Sequence, residues 1–228
     1  MDATLDVVPL LAAMAASTSF RGSIASTRPV ARALRSGERV ADRDLDEVFP
    51  LEVRGASRVH WTPVAVAAHA ARLLVDQPGM TVLDVGAGVG KFCLVAAATV
   101  RARIRGIEQR AHLVEIARAA AVKLGVQVDF VHGTLDGQDP SKVDGIYLFN
   151  PFAENLSPTR DRIDNTVELN AERFRRDVDA TERFLAAARP GTRVVTYCGF
   201  GGVMPESYVM KLREWHGSNL ELWVKRRA

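Results

Sequence analysis

From Thr62 onward, short apolar runs alternate with longer segments of helical spacing. Thr62 and Pro63 have the chemistry to cap and begin a helix that runs to about Val75. Further helices are predicted over Lys91–Val100, Ala111–Leu124 and Val167–Ala188. Strands are predicted over the apolar runs Met80–Val85, Ile104–Ile107, Val126–Val131, Val143–Phe149, Thr192–Tyr197, Ser207–Trp215 and Leu220–Val224.

Strands that alternate with long helices indicate a parallel sheet with helices on both faces. The last two strands are joined near Gly217-Ser218, which is too short for a crossover helix, so they should form a hairpin with an antiparallel edge strand. The predicted fold is therefore α/β: a three-layer, doubly wound, seven-stranded and mostly parallel sheet with an antiparallel C-terminal hairpin strand.

Residues 1–58 have a different character. Helices are predicted over 4–16 and Pro29–Ser36, and Glu38–Pro50 is acidic. This stretch has too few apolar residues for a core of its own. We therefore predict an N-terminal helical extension, or cap, at 1–58 and one domain at 59–228.

A glycine-rich loop follows the first predicted strand, with the sequence Gly86-Ala87-Gly88-Val89-Gly90. Glycines allow a sharp turn and the close approach of a ligand, and the following helix offers free N–H groups. The third glycine comes one residue too early for a dinucleotide fingerprint, and Asp84 would repel a pyrophosphate. An ammonium-bearing ligand without phosphate, S-adenosylmethionine, fits this loop better.

Acidic side chains follow the next two strands. Glu108 lies 20 residues after Gly88, the spacing of a carboxylate that accepts hydrogen bonds from ribose hydroxyls. Gln109 is assigned to the same cofactor contact. Asp136, after the third strand, is assigned to the adenine amino group; the alternative is a turn carboxylate beside Gly137.

The fourth strand runs into Asn150-Pro151-Phe152. The Asn150 carbonyl and the backbone carbonyl after it can accept hydrogen bonds from an amine, and Phe152 can supply an aromatic face. These residues are the predicted catalytic group, and Asn150 also borders the cofactor. The alternative is a simple strand-end turn punctuated by Pro151.

Together these residues resemble the class I S-adenosylmethionine-dependent methyltransferases, over roughly Thr62 to Val224. Asp84 and the glycine loop look like that family's first motif, Glu108 like its ribose-binding acid, and Asn150-Pro151-Phe152 like its fourth motif. The loop and Glu108 are also similar to the non-SET histone-lysine methyltransferases. A small bacterial methyltransferase group of unsettled substrate is similar through His60-Trp61-Thr62-Pro63, Gly90-Lys91-Phe92-Cys93 and the segment Asn150–Asn155.

Other residues carry weaker signals. His60 and Trp61 are expected either to line the acceptor pocket or to staple the helix start, and Glu154 either to orient an amine or to lie in a solvated loop. The loop Tyr197–Gly202 could shape the acceptor pocket. Cys93 is expected to be buried, and Trp215 and Trp223 to belong to the core. No metal is predicted, because His112, His132 and His216 have no partner at a metal-binding spacing.

Composition narrows the function further. The net charge is +3, and arginines scattered along the chain supply 25 of the 30 basic residues, so no nucleic-acid arm is evident. Two cysteines and no long apolar run favour a reducing, cytoplasmic compartment and no membrane contact. We expect S-adenosylmethionine-dependent methyl transfer, with nitrogen favoured, to a protein or small molecule rather than nucleic acid. The alternatives are a nicotinamide-dependent oxidoreductase and a non-catalytic S-adenosylmethionine-binding module.

Overall fold

A computed structural model of the chain describes residues 29–227. Seven strands form a single sheet in the order β3-β2-β1-β4-β5-β7-β6. The strands are β1 (Thr81–Val85), β2 (Arg103–Glu108), β3 (Asp129–His132), β4 (Gly145–Phe149), β5 (Arg193–Tyr197), β6 (Tyr208–Trp215) and β7 (Asn219–Lys225). The alternation of strands and helices confirms the predicted α/β class.

Helices connect the strands and precede the sheet. They are α1 (residues 29–36), α2 (Asp42–Asp46), α3 (Leu51–Arg54), α4 (Ser57–His60), α5 (Val64–Leu74), α6 (Lys91–Thr99), α7 (Ala111–Leu124) and α8 (Ala171–Ala187). The prediction began α8 four residues too early, because the Asn170 side chain accepts a hydrogen bond from Arg173 N and caps the helix there. The helix predicted over 4–16 lies outside the described residues.

The C-terminal hairpin is present, but its antiparallel strand is not at the edge. β7 pairs antiparallel with both β5 and β6, so it lies second from the edge and β6 is outermost. The prediction of an antiparallel edge strand was wrong in this detail. Leu220 and Leu222 are buried in β7, whereas β6 exposes Lys211, Arg213 and Trp215, so the more apolar strand takes the inner place.

Alternation along the strands divides the core into two layers. Val82 of β1 packs with α5, α6 and α7, whereas Leu83 packs with α8 on the opposite face. The same alternation recurs in β4, where Tyr147 faces the first layer and Ile146 the second. No helix among residues 29–227 is long and apolar enough to cross a bilayer.

The segment 42–60, here called the cap segment, packs on the first of these layers. Its Leu45, Val48 and Phe49 are buried in the same core as α5 and α6. The predicted cap of α5 was wrong: the Thr62 hydroxyl instead bonds the Tyr147 hydroxyl at 2.9 Å. Val64 N at the start of α5 donates to the Asp42 carboxylate at 2.9 Å, so the cap segment completes the helix it covers.

Candidate active site

A cavity of about 900 Å³ opens at the carboxyl ends of β1, β2 and β4. This is the edge where open parallel sheets bind ligands. The cap segment forms part of its wall through residues such as Glu52, Val59 and His60. The residues predicted from sequence that line it are Asp84, Gly86, Ala87, Gly88, Glu108, Gln109, Asp136, Asn150, Pro151 and Phe152.

Gly90 is not among the residues that line the cavity. It lies behind the loop, where a Cβ would come within 2.4 Å of the Phe130 ring, so it permits the loop to pack on α7 and β3. Gly88 is the opposite case, since a Cβ there would meet nothing within 4 Å. Both glycines have positive φ, at 80° and 55°. One glycine therefore serves packing, and the other keeps space free at the cavity wall.

Glu108 is buried at the end of β2 and holds the glycine loop. Its carboxylate accepts from Gly88 N at 3.0 Å and from Arg110 N at 2.9 Å. Burial raises its pKa, and these two backbone hydrogen bonds partly oppose that rise. The residue therefore couples β2 to the loop while it lines the cavity.

Asp84 is a buried carboxyl group of the site whose pKa lies far above its ordinary value. Burial raises its pKa to about 7, a hydrogen bond from the Cys93 thiol opposes the rise, and the nearby charge of Glu108 adds to it. Cys93 is fully buried, as predicted, and burial beside Asp84 raises its own thiol pKa. Asp84 thus lacks a compensating cation among the described residues, which suits a cationic ligand.

The end of β4 is held in an unusual backbone conformation. Asn150 has a φ of 40°, and its N–H donates to Gly199 O at 2.9 Å, which ties the ends of β4 and β5 together. A Cβ on Gly86 would lie 3.0 Å from Pro151 Cβ, so the loop after β4 packs directly on the glycine loop. Phe152 is partly buried in the second core layer. The three residues of the predicted catalytic group therefore adjoin the predicted cofactor residues.

Gln109 and Asp136 occupy the rim of the cavity. The Gln109 side chain accepts a hydrogen bond from Arg173 of α8. Asp136 is exposed in a 3₁₀ turn, Leu135–Gly137. Both residues line the cavity, but the side-chain oxygen of Gln109 already accepts the hydrogen bond from Arg173.

Lys91 is a buried feature that sequence reasoning did not assign. Its ammonium is 2.7 Å from Asp42 and 2.8 Å from Asp46, and it donates to the Ser57 hydroxyl at 2.9 Å. It also lies 5.7 Å from the centre of the Trp61 ring. Lys91 directly follows the glycine loop, so it fastens the cap segment to the start of α6. Its position directly after Gly90 could have marked Lys91 as part of the site, but its partners are far away in sequence and were not predictable from local pattern.

Arg110 forms a second buried ion cluster. It bonds Glu154 at 2.8 Å and Asp164 at 3.0 Å, and His112 lies 3.1 Å from Asp164. Glu154 also accepts from Ile163 N at 2.7 Å. Glu154 is thus not a solvated loop residue, because it joins the loop after β4 to Arg110 at the start of α7.

The remaining candidates divide between the cavity and the surface. His60 and Trp61 line the cavity, and Trp61 also packs on Phe49 with ring centres 4.8 Å apart. Cys198 lines the cavity from the loop after β5. Trp215 was predicted in the core and this was wrong: it is 73% exposed, because β6 is the outer strand.

Comparison with known proteins agrees with this architecture. A family model described as a methyltransferase domain matches residues 82–167, which run from β1 through the loop after β4. Residues 82–167 thus carry a methyltransferase domain, and this match together with the fold supports a class I S-adenosylmethionine-dependent methyltransferase. This match favours a methyltransferase over the alternative of a nicotinamide-dependent oxidoreductase.

Solved structures share the fold of this chain at low identity. TrmN from Thermus thermophilus is 21% identical with a TM-score of 0.55; the match covers 75% of this chain but only 51% of TrmN. The chain thus spans about half the length of TrmN. An RNA methyltransferase from Salinibacter ruber, solved with S-adenosyl-L-homocysteine, is 24% identical with a TM-score of 0.53, covering 73% of this chain and 94% of that one. No curated protein sequence matches the chain.

Proposed function

We propose that this methyltransferase transfers a methyl group from S-adenosylmethionine to a nitrogen atom of a small molecule or a protein side chain. One observation carries the proposal: two buried carboxyl groups, Asp84 and Glu108, and the strand-end residue Asn150 line one cavity. The carboxyl groups suit a cationic, ribose-bearing ligand, and the amide carbonyl of Asn150 suits an N–H donor.

The described residues fit the cofactor. When bound, S-adenosylmethionine would supply a methyl group on a positively charged sulfur. An uncharged amine could attack the methyl carbon, with the sulfide as the leaving group. We assign Glu108 to the ribose hydroxyls, with Gln109 beside it, and Asp84 to the ammonium of the methionine part. Gly86, Ala87 and Gly88 line the wall on which this ligand would rest, and the open space beside Gly88 supports that assignment. Asp136 is assigned to the adenine amino group.

The acceptor side is assigned to Asn150-Pro151-Phe152. Carbonyl oxygens at this strand end can hold an amine by its N–H groups, so that its lone pair points away from them toward the methyl group. Phe152 and His60 line the same cavity and would exclude water from it. An amine of ordinary basicity must lose its proton first, so the rate of the chemical step should rise with pH toward the acceptor's pKa.

The charge of the cavity supports a small-molecule or protein acceptor. Acidic side chains outnumber basic ones along the lining. Lys91, Arg110 and Arg173 of the lining are each paired with carboxylates and so are not free to bind phosphates. The two other arginines of the lining, Arg160 and Arg162, contact Asp161 and the Ser157 carbonyl oxygen. A polyanion needs the opposite arrangement. RNA is the rival acceptor, because one structural neighbour is an RNA methyltransferase.

Two further predictions complete the proposal. We propose a domain boundary near residue 58, with a methyltransferase domain over 59–228. The packing of the cap segment on α5 supports the role of the residues before 59 as a cover for the cavity. We also propose a cytoplasmic location, in keeping with the free thiols of Cys93 and Cys198.

The test uses methyl-labelled S-adenosylmethionine with extract of the source organism. Label in the small-molecule or protein fraction is expected, and label in RNA would overturn the acceptor class while leaving the activity. Glu108→Ala should raise the cofactor Kd by about 5- to 150-fold, or 1–3 kcal/mol, from lost charge-assisted hydrogen bonds. Glu115→Ala, an exposed glutamate paired with Arg118, is the matched control and should change nothing.

A calorimetric titration separates failure of transfer from failure of binding. Tight binding of the cofactor with no label in any fraction would favour a non-catalytic binding module. Unchanged affinity in Glu108→Ala would remove Glu108 from the cofactor site.

A further inference from the structure

Two histidines and a glutamate meet at a place that does not line the active-site cavity. His69 lies on α5, Glu214 near the end of β6 and His216 in the turn between β6 and β7. Nε2 of His69 is 2.7 Å from Glu214 Oε2, and Nε2 of His216 is 3.0 Å from the same oxygen. The ligand atoms of all three lie within 4.8 Å of one another.

We propose that His69, Glu214 and His216 bind a divalent transition-metal ion, with zinc as the best match. Two imidazole nitrogens and one carboxylate oxygen form a ligand set that zinc accepts, at about 2.0–2.1 Å from each atom. In a tetrahedral site such atoms lie about 3.3 Å apart. The two N···O distances, 2.7 and 3.0 Å, need to widen by about 0.6 and 0.3 Å to reach that spacing. The two imidazole nitrogens, which lie within 4.8 Å of each other, need to reach about the same spacing, and rotation of the three side chains can supply these shifts.

The surroundings of the cluster permit an ion to enter. The three side chains are about one-third exposed, at 35%, 36% and 36%. Three protein ligands leave a fourth tetrahedral position for water, and the ion needs no opening of the core. None of the three residues lines the active-site cavity, so an ion bound there would not take part in methyl transfer.

The ligands come from distant parts of the chain, and this gives the ion a structural role. His69 and Glu214 are 145 residues apart in sequence. A bound ion would therefore fasten the β6–β7 hairpin to α5, across the outer end of the sheet. The expectation of no metal rested on local spacing around His216, and local spacing does not reveal a partner on another element.

Metal binding is tested on the full chain after treatment with a chelator. We expect calorimetric titration with zinc chloride to give one site per chain. His69→Ala and His216→Ala should each weaken this binding by at least about tenfold. His132→Ala is the matched control: its imidazole bonds Gln109 O far from the cluster in sequence, and zinc binding should be unchanged.

A second measurement distinguishes this site from adventitious binding. Cobalt should quench the fluorescence of the exposed Trp215, which lies between two of the ligands in sequence, and the quenching should disappear in His69→Ala. Zinc should also raise the Tm of the wild type but not that of His69→Ala. Circular dichroism would confirm that the variants are folded. No stoichiometric zinc binding by the wild type, or binding that survives in both histidine variants, would overturn the proposal and leave a hydrogen-bonded triad.

Discussion

The ammonium of Lys91 lies 2.7 Å from Oδ1 of Asp42, and that same oxygen accepts the N–H of Val64 at 2.9 Å. A single carboxylate therefore joins the residue after the glycine loop to the start of α5. Lys91 is 2% exposed, so its charge depends on Asp42 and Asp46 rather than on water.

Removal of the Lys91 charge should destabilise the fold. Lys91→Met leaves Asp46 buried without its cation, and we expect a loss of about 3 kcal/mol in the free energy of unfolding. The estimate is at the lower end for a broken buried pair because Asp42 is 47% exposed. Urea denaturation measures it. Lys142→Met is the control, since Lys142 is 79% exposed and its loss should cost under about 1 kcal/mol. Equal losses in the two variants would show that the buried cluster adds no stability.

Cofactor affinity should depend on the ionisation of Asp84. Its pKa of about 7 in the free protein means that the carboxyl is largely protonated in acid. A cationic ligand favours the carboxylate, so the association constant should rise by up to about tenfold per pH unit below 7 and level off above it. Titrations of wild type and Asp84→Asn across this range measure the effect. The ligand's own titration cancels in their ratio, and a ratio independent of pH would separate Asp84 from the ligand's charge.

The same group should affect the stability of the ligand-free protein with the opposite sign. The folded pKa of Asp84 is raised above its ordinary value of 3.8, so the folded state holds its proton longer than the unfolded state. Its contribution is complete below about pH 4 and is lost as the pH rises through about 7. Asp84→Asn should flatten this part of the stability profile, as thermal unfolding at several pH values would reveal. A slope in the variant as steep as that of the wild type would assign it to other groups.

Substitution of two glycines of the loop should have different effects, one on stability and the other on cofactor binding. Gly90→Ala places a Cβ within 2.4 Å of the Phe130 ring at a φ of 80°, so we expect a loss of about 3 kcal/mol in stability. Gly88→Ala meets open space and should cost about 1 kcal/mol from its positive φ. Its methyl group would enter the cavity, so it should chiefly weaken cofactor binding. Thermal unfolding and calorimetric titration of both variants test the contrast, which would be refuted if the two losses were interchanged.

Asn150 should affect turnover and spare the cofactor. Its φ of 40° makes Asn150→Gly the cleaner variant, because glycine keeps this conformation whereas alanine adds strain. With the acceptor found by labelling, we expect kcat to fall by about a hundredfold. The cofactor Kd should change by less than about threefold, under 1 kcal/mol. A loss confined to cofactor affinity would instead make Asn150 a cofactor ligand.

Most of the fold was predictable from the sequence, because the apolar runs have lengths typical of strands or helices and glycine or proline residues mark their ends. The bounds of α7, Ala111–Leu124, were predicted correctly, since Gly125 ends it with a φ of 75°. The inner position of β7 was not predicted, because local pattern does not say which strand of a hairpin joins the sheet. The start of α5 was misread for a similar reason: its partner, Asp42, lies outside the segment that the pattern covers.

The site was predicted as far as its residues follow strands. Asp84, Glu108 and Asn150 all stand at or near strand ends, and parallel strand ends meet at one edge. The partners of Lys91 and Arg110 were missed because they lie on other elements, 34 residues away for Ser57 and 54 for Asp164. Pairing at that range depends on the tertiary fold, which single-sequence periodicity does not encode.

The cap segment both walls the cavity and is fastened by the residue that follows the glycine loop. Docking of the segment and occupancy of the cavity are therefore thermodynamically linked for any ligand that touches this wall. Such a ligand must stabilise the docked segment by the same free energy by which docking tightens the ligand. Substitutions at Asp42 or Asp46, which do not line the cavity, would then change the affinity of such a ligand.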